Sequence, residues 1–260
     1  MYNQRHIMKI IGILGGMGPA ATVELFRRIV AYTPAQCDQD HIPIVIDNNP
    51  KIPDRGPFLL EGGPDPRPAL CRSARKLERM GASFIAMPCN TAHVFLPYLR
   101  KAVRIPFVDM IAETAKVITE PRVGLLATET TVRTRLYHDA CALYGIEVLT
   151  PFPDDQDRIM EIIYAMKGGT LDGTMRRDLR AIAAGLHERG AHALIVGCTE
   201  LSLIVSSEDF AGPVYDALDI LAHAAVRWAQ QGMRQMPQPD HTKNTINRAT
   251  ITAKATSTIP

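Results

Sequence analysis

Two cysteines occupy positions in this sequence where thiols commonly do chemistry. Cys89 lies in Met-Pro-Cys-Asn-Thr-Ala-His, and Cys198 lies in Val-Gly-Cys-Thr-Glu-Leu-Ser. Each follows a short apolar run, at residues 83–87 and 193–196, and precedes a small polar cluster. This pattern is typical of a buried strand that feeds a loop and a helix, and ligands of open parallel sheets bind at that edge. One such thiol in each half of the chain suggests a matched pair that acts on one substrate from opposite sides.

Thiols act as nucleophiles, as metal ligands or as acids and bases, and a helix start favours the thiolate. A metal site would draw on both motifs (Cys89, His93, Cys198, Glu200), but a Cys-x-x-x-His spacing is weak evidence for zinc. A protease-like set of Cys89, Asn90 and His93 is disfavoured, because such partners usually converge from distant segments. We interpret the remaining cysteines as buried small apolar residues, since none ends a strand (Cys37, Cys71, Cys141). The prediction is acid–base chemistry without a bound metal.

Strand-like runs alternate with helical patterns as far as about residue 230, which predicts parallel sheets covered by helices on both faces. Between the elements we expect a long Pro/Gly-rich loop that ends near residue 68. The sequence further predicts continuous helices over 90–103 and 131–144 and a short strand over 107–109.

The two halves of the chain resemble each other. Gly12-Ile-Leu-Gly-Gly is similar to Gly124-Leu-Leu-Ala-Thr, and a Gly-Ala pair precedes each cysteine-bearing strand, at Gly81 and Gly190. A single duplication explains this similarity. We therefore predict an α/β fold of two similar doubly wound parallel-sheet domains related by pseudo-two-fold symmetry, with the active site in the cleft between them. The expected divisions are a first domain over 1–115 plus 214–231, a second over 116–213, and a disordered tail over 232–260.

Composition narrows the class of protein further. The 260 residues are 46% hydrophobic and carry a net charge of +2, and no basic run with interleaved aromatics appears, so we expect no nucleic-acid partner. No apolar stretch approaches the roughly 20 residues of a membrane span, so we expect no membrane association. The odd number of cysteines, without a C-x-x-C pair, favours a reducing, cytoplasmic location.

Several motifs together resemble the aspartate/glutamate racemase family, and most closely its aspartate racemase branch. The motifs are Ile-Gly-Ile-Leu-Gly-Gly-Met-Gly-Pro near the start, Asn48-Asn-Pro-Lys-Ile-Pro-Asp-Arg55, Pro88-Cys-Asn-Thr-Ala-His93, Lys167-Gly168 and Gly197-Cys-Thr-Glu-Leu201. The resemblance covers nearly all of residues 9–230. It implies racemisation of aspartate or glutamate without a cofactor, in which two cysteines exchange a proton on opposite faces of the α-carbon. It also implies a small amino-acid substrate and a homodimer.

The resemblance assigns further roles by position. Arg55 and Lys167 are expected to hold the side-chain carboxylate of the substrate. The α-carboxylate would meet backbone N–H groups and hydroxyl or amide side chains; these candidates are Met17, Gly18, Asn90, Thr91 and Thr199, with Thr130 and Thr131 as weaker ones. Glu200 and His93 are expected to tune the neighbouring cysteines.

Two alternatives to a racemase stay open. The same cysteines could serve a cis–trans isomerase of a small unsaturated dicarboxylate such as maleate, with one thiol as nucleophile. A non-catalytic dicarboxylate-binding protein is a different class of function, but binding alone requires neither Cys89 nor Cys198. A hydantoin-type racemase is disfavoured because Arg55 and Lys167 imply a second anionic group on the substrate.

Overall fold

The computed structural model describes residues 9–231, so the predicted tail over 232–260 lies outside the described residues. The first half contains β1 (Ile11–Gly15), α1 (Pro19–Tyr32), β2 (Ile44–Asn48), α2 (Arg55–Glu61), α3 (Arg67–Arg79), β3 (Phe84–Ala86), α4 (Leu96–Leu99) and α5 (Met110–Val117). The second half contains β4 (Arg122–Ala127), α6 (Glu129–Arg133), α7 (Leu136–Ala142), β5 (Glu147–Leu149), α8 (Pro153–Lys167), α9 (Gly173–Glu188), β6 (Ala193–Gly197), β7 (Val214–Asp216) and α10 (Ala217–Gln230). Short 3-10 helices follow both cysteines, at Thr91–Phe95 and Leu201–Leu203.

Two fully parallel sheets organise these elements, which confirms the predicted α/β class. The first sheet has the strand order β2-β1-β3, and the second has the order β5-β4-β6-β7. The first three strands of each half are thus arranged in the same order, with β7 as an addition at one edge. Within residues 9–231 no helix is both long enough and apolar enough to cross a membrane.

Alternating side chains of the strands divide the interior into three apolar clusters. One face of β1 (Ile11, Ile13) and one face of β4 (Val123, Leu125) belong to the same cluster, together with buried side chains of α1, α5 and α10. The opposite faces point outwards: Leu14 of β1 packs with α3, and Leu126 of β4 packs with α8 and α9. The two sheets therefore share a central core, and this core fixes the two cysteine-bearing strands relative to each other.

The turn after β1 is built from glycines because larger residues would not fit. Gly16 has φ +94°, and a Cβ there would lie 2.3 Å from the backbone of Asn49. A Cβ at Gly15 would lie 2.4 Å from the side chain of Thr22. The close approach of Gly16 to the backbone of Asn49 brings Met17 and Gly18 beside the segment that leads to Arg55.

One predicted strand position is wrong. The strand over 214–216 was expected with the first domain, but it hydrogen-bonds to β6 in the second sheet, with Ile195 opposite Tyr215. The connection from β6 is short, and consecutive parallel strands usually become neighbours. The helix that follows, α10, does pack against α1 and α5 of the first half.

The predicted helices differ from the observed ones where the backbone cannot continue. The segment 90–103 forms a 3-10 helix and then the short α4, because the ring of Pro97 would clash with the carbonyl of His93 in a continuous α-helix. The segment 131–144 is split by Arg135, which has φ 58°. Residues 107–109 form a single bridge to β3 rather than a strand. The expected loop before residue 68 contains α2, whose N-cap Asp54 accepts a hydrogen bond from Gly56 N.

Candidate active site

Both cysteines line a single pocket between the two halves of the chain. Its empty volume, including space open to solvent, is about 420 Å³. The first half contributes Met17, Asp54, Arg55, Gly56, Cys89, Asn90 and Thr91; the second contributes Thr128, Thr130, Met160, Tyr164, Lys167, Gly197, Cys198, Thr199 and Glu200. Cys89 is 6% exposed and Cys198 is 4% exposed, so a bound ligand would meet both thiols away from bulk water.

The loop that carries Cys89 is held by a buried histidine. His93 Nδ1 lies 2.8 Å from the carbonyl oxygen of Cys89, and Met110 N donates to His93 Nε2 at 3.2 Å. Since the backbone N–H can only donate, Nε2 is the acceptor and Nδ1 carries the proton of a neutral ring. Burial lowers the pKa of His93, which also keeps the ring neutral. His93 thus fixes the backbone of Cys89 and does not line the pocket.

A guanidinium faces the thiol of Cys89. Arg55 is 6% exposed, and it donates to the carbonyl oxygens of Pro53 at 3.2 Å and Met17 at 3.3 Å. Burial alone would lower the pKa of Arg55, but the negative charges of Cys89 and its other neighbours outweigh burial and raise that pKa. A thiolate at Cys89 would therefore be paired with a fixed cation.

A carboxylate faces the thiol of Cys198. Cys198 Sγ donates to Glu200 Oε2 at 3.2 Å, and Gly18 N donates to Glu200 Oε1 at 3.2 Å. Burial raises the pKa of Cys198 well above its usual range, and the charge of Glu200 raises it further, while Lys167 opposes both effects. Cys198 is consequently a protonated thiol over the neutral pH range.

The ammonium group of Lys167 reaches across the cleft to the first half of the chain. Lys167 Nζ lies 4.0 Å from Asp54 Oδ2. Burial would lower the pKa of Lys167, but Asp54, Glu200 and Cys198 together raise it. Burial would likewise raise the pKa of Asp54, but Lys167 and Arg55 lower it. Both groups are therefore ionised, and Lys167 offsets the negative charge beside Cys198.

Two buried donors in the pocket wall have no hydrogen-bond acceptor among residues 9–231. They are Asn90 Nδ2 and Arg55 Nε. The other end of the Asn90 amide is fixed, because Tyr137 Oη donates to Asn90 Oδ1 at 2.5 Å. Buried donors without partners are rare and costly. Their presence in one wall indicates a site for an anionic ligand.

The threonines predicted for the site have three kinds of surroundings. Thr91 forms a hydroxyl cluster with Thr128 at 3.0 Å and Thr131 at 2.8 Å, and Thr131 lies behind the pocket. Thr199 donates to the carbonyl oxygen of Pro88 at 3.3 Å, which joins the two cysteine loops. Thr130 is buried and lines the pocket.

The structure brings most predicted residues together and corrects two of them. Gly18 does not offer its N–H to the pocket, because Glu200 already accepts that hydrogen bond. His93 contacts the carbonyl of Cys89 rather than its thiol. Sequence reasoning missed several lining residues: Asp54, Gly56, Thr128, Met160 and Tyr164. Asp54 and Thr128 had a signal, since Asp and Thr are common N-cap residues before a helix.

A metal site built on the two motifs does not fit this arrangement. Within the described range 9–231, no group of three or more His, Cys, Asp or Glu side chains is placed to hold a metal ion. Both ring nitrogens of His93 are already used by backbone groups, so the ring has no free lone pair for a ligand bond.

Comparison with known proteins places this geometry in a family. Residues 14–225 match the family described as Asp/Glu/Hydantoin racemase. The chain is 29% identical over 229 residues to the broad specificity amino-acid racemase RacX of Bacillus subtilis (strain 168), covering 84% of this chain and 96% of that protein.

Two solved structures extend the comparison. An aspartate racemase from Picrophilus torridus aligns with a TM-score of 0.76 and 34% identity, over 85% of this chain and 94% of the other. An aspartate racemase homologue from Pyrococcus horikoshii OT3 aligns with a TM-score of 0.70 and 26% identity, over 85% and 99% of the two chains. The chain therefore belongs to the Asp/Glu/hydantoin racemase family, and it is an isomerase of the amino-acid racemase class.

Proposed function

We propose that this enzyme racemises aspartate or a close acidic relative by a two-base mechanism in which Cys89 and Cys198 act on opposite faces of the α-carbon. The observation that supports this proposal is one pocket lined by a thiol from each half of the chain. Inverting a stereocentre by proton transfer requires a base on one face and an acid on the other. Cys89 after β3 and Cys198 after β6, strands in equivalent positions of the two sheets, would supply the base and the acid.

The two thiols have different neighbours and take different roles in the proposed reaction. A thiolate at Cys89, paired with Arg55, removes the α-proton and becomes a thiol. The electron pair left on the α-carbon then takes a proton from the thiol of Cys198 on the opposite face. Cys198 becomes a thiolate, and the ammonium of Lys167 compensates its charge beside Glu200. The reverse reaction begins from this second state.

The substrate's charged groups match the pocket wall. Asn90 Nδ2 and Arg55 Nε are buried donors in need of an acceptor, which a carboxylate provides. Lys167 is a second cation, beside Arg55, for the side-chain carboxylate. Asp54, whose side chain is 40% exposed at the pocket, is a suitable acceptor for the substrate ammonium. Negative charge that develops on the α-carboxylate during deprotonation is stabilised by the amide group of Asn90.

The relatives support a racemase and leave the side-chain preference to experiment. The Picrophilus torridus protein is named for aspartate, whereas RacX is named for broad specificity. Two cations in the pocket favour an acidic substrate here. Aspartate and glutamate differ by one methylene, a difference worth only about 1–3 kcal/mol in a pocket.

The test is α-proton exchange in D₂O, followed by NMR, with the L and D forms of aspartate, glutamate and alanine. We expect exchange and racemisation of acidic substrates to be at least about tenfold faster than of alanine, since alanine leaves a buried cation unpaired. Maleate is included in parallel. Isomerisation of maleate without exchange of any amino acid would overturn the proposal in favour of a cis–trans isomerase, and binding without turnover would overturn it in favour of a binding protein.

A further inference from the structure

A second, strongly cationic groove lies outside the active-site pocket, between α3 and the end of β2. Its empty volume, including space open to solvent, is about 1010 Å³. Four basic side chains of α3 line it: Arg72, Arg75, Lys76 and Arg79. None of the residues that line this groove lines the pocket that contains the cysteines. We propose that this groove is a binding site for a small ligand with two or more phosphate groups.

The basic residues are arranged on one face of the helix. Their spacing of three and four residues places neighbouring side chains on adjacent turns. The face extends from Arg72 to Arg79, which at 1.5 Å per residue is about 10 Å. A linear di- or triphosphate has charges distributed over a comparable length, and guanidinium groups bind phosphate oxygens through paired hydrogen bonds.

Most of this positive charge is uncompensated. Lys76 Nζ contacts Asp47 Oδ1 at 2.6 Å, and Arg75 Nε donates to the carbonyl oxygen of Ala102 at 3.3 Å. In the described part of the chain, the side chains of Arg72 and Arg79 have neither an ion pair nor a hydrogen bond. Like charges at this helical spacing destabilise a helix. An anion in the groove would remove that repulsion.

A buried hydroxyl supplies an independent indication of a ligand. Ser73 is 2% exposed and lines the groove, and its Oγ has no hydrogen-bond partner among the described residues. A hydroxyl in mid-helix commonly bonds to the carbonyl four residues earlier or turns to solvent, and Ser73 does neither. A phosphate oxygen would satisfy this donor. Asp47, Asn48 and Asn49, at and just after the end of β2, also line the groove, and Asp47 is the acidic residue among its lining residues.

The experiment is isothermal titration calorimetry of the full chain with tripolyphosphate at about 50 mM salt, where surface charges are weakly screened. We expect saturable binding that weakens as salt is added. The double variant Arg72→Ala/Arg79→Ala removes the two cations without partners, and we expect its Kd to rise about tenfold or more. Without ligand, the melting temperature of this variant is expected to stay the same or rise, because repulsion is reduced.

Two further variants make the result specific. Lys116→Ala/Arg133→Ala makes the same change in net charge on exposed residues elsewhere and is expected to bind like wild type. Ser73→Ala is expected to weaken binding several-fold without loss of thermal stability, because it removes a buried hydroxyl that has no partner. Absence of tripolyphosphate binding by wild type, or equal weakening in the control double variant, would overturn the site. Equally tight binding of citrate would overturn the assignment to phosphate.

Discussion

Cys89 and Cys198 follow the ends of equivalent strands, yet the electrostatic surroundings of the two thiols are opposite. Cys89 faces the guanidinium of Arg55, whereas Cys198 donates a hydrogen bond to the carboxylate of Glu200. The backbones are also fixed differently: His93 binds the carbonyl of Cys89, whereas Arg28 of α1 donates to the carbonyl of Ser202 at 3.0 Å, just after Cys198. A similar strand order thus places the two thiols, and unrelated neighbours give them opposite electrostatic surroundings.

Replacement of each cysteine has the largest expected effect on activity and tests whether the two thiols differ in role. We expect Cys89→Ala and Cys198→Ala each to reduce racemisation by about 100- to 10,000-fold, the usual contribution of an acid or base. In D₂O, Cys198→Ala should still exchange the α-proton of one enantiomer, since Cys89 keeps its cation. Cys89→Ala should exchange the other enantiomer far more slowly, because a Cys198 thiolate is opposed by Glu200. Equal rates of exchange by the two variants would contradict the proposed difference between Cys89 and Cys198.

Substitution of Arg55 tests the role of the cation beside Cys89. We expect Arg55→Ala to lower kcat/KM for aspartate by about 10- to 100-fold, because loss of a charged hydrogen-bond partner in a closed site costs about 1.5–3 kcal/mol. Arg55→Lys should recover only part of this loss, since an ammonium cannot donate as a fork. Arg72→Ala, on an exposed residue of the same half that does not line the pocket, is the matched control. Steady-state kinetics with aspartate and alanine separate the roles, and an equal loss for both substrates would contradict recognition of the side-chain carboxylate.

Substitution of Glu200 tests the role of the carboxylate beside Cys198, and the measurement is the pH profile of the reaction. The pKa of Cys198 is raised by burial and by Glu200, so the thiol is deprotonated only at high pH. Glu200→Gln removes the negative charge and leaves burial, so the pKa of Cys198 should fall and the alkaline limb of kcat should move to lower pH. We expect the alkaline limb of kcat to shift while KM changes little. An alkaline limb that stays in place would show that Glu200 does not tune Cys198.

His93 gives the smallest expected effect and concerns stability. Its pKa is lowered by burial in the folded protein, so the unfolded chain binds more protons below about pH 6.5. Its contribution to stability is therefore present above that pH and is lost as pH falls, by up to about 1.4 kcal/mol per pH unit. A His93→Gln amide can donate and accept like the neutral ring without gaining a proton. Thermal melts at pH 7.5 and pH 5.5 should show a smaller loss in this variant than in wild type.

Much of the fold and the location of the site could be predicted from local sequence patterns. The end of an apolar run is visible in one dimension, so the strand ends at Cys89 and Cys198 were predicted within one or two residues. The recurrence of Gly-Ala before both cysteines indicated a duplication, and the strand order of the two sheets agrees with it. The position of Arg55 in the pocket was inferred from a motif, not from its neighbours.

What sequence reasoning missed depends on contacts between distant segments. Tyr164 and Thr128 line the pocket only because α8 and the turn after β4 converge on it. The orientation of His93 is set by Met110, a residue 17 positions away in the chain. The pairing of β7 with β6 follows from the path of a connection that has no periodic pattern. In each case the information lies in tertiary packing.

The unequal partners of the two thiols have a consequence for the rates of the forward and reverse reactions. Mirror-image amino acids have identical free energies in water, so the equilibrium constant of racemisation is unity. The Haldane relation then requires kcat/KM to be the same for both enantiomers, whatever Arg55 and Glu200 do. The asymmetry can only redistribute each direction's efficiency between turnover and apparent affinity. One enantiomer should therefore be turned over faster at saturation and bound more weakly, and the other should show the reverse.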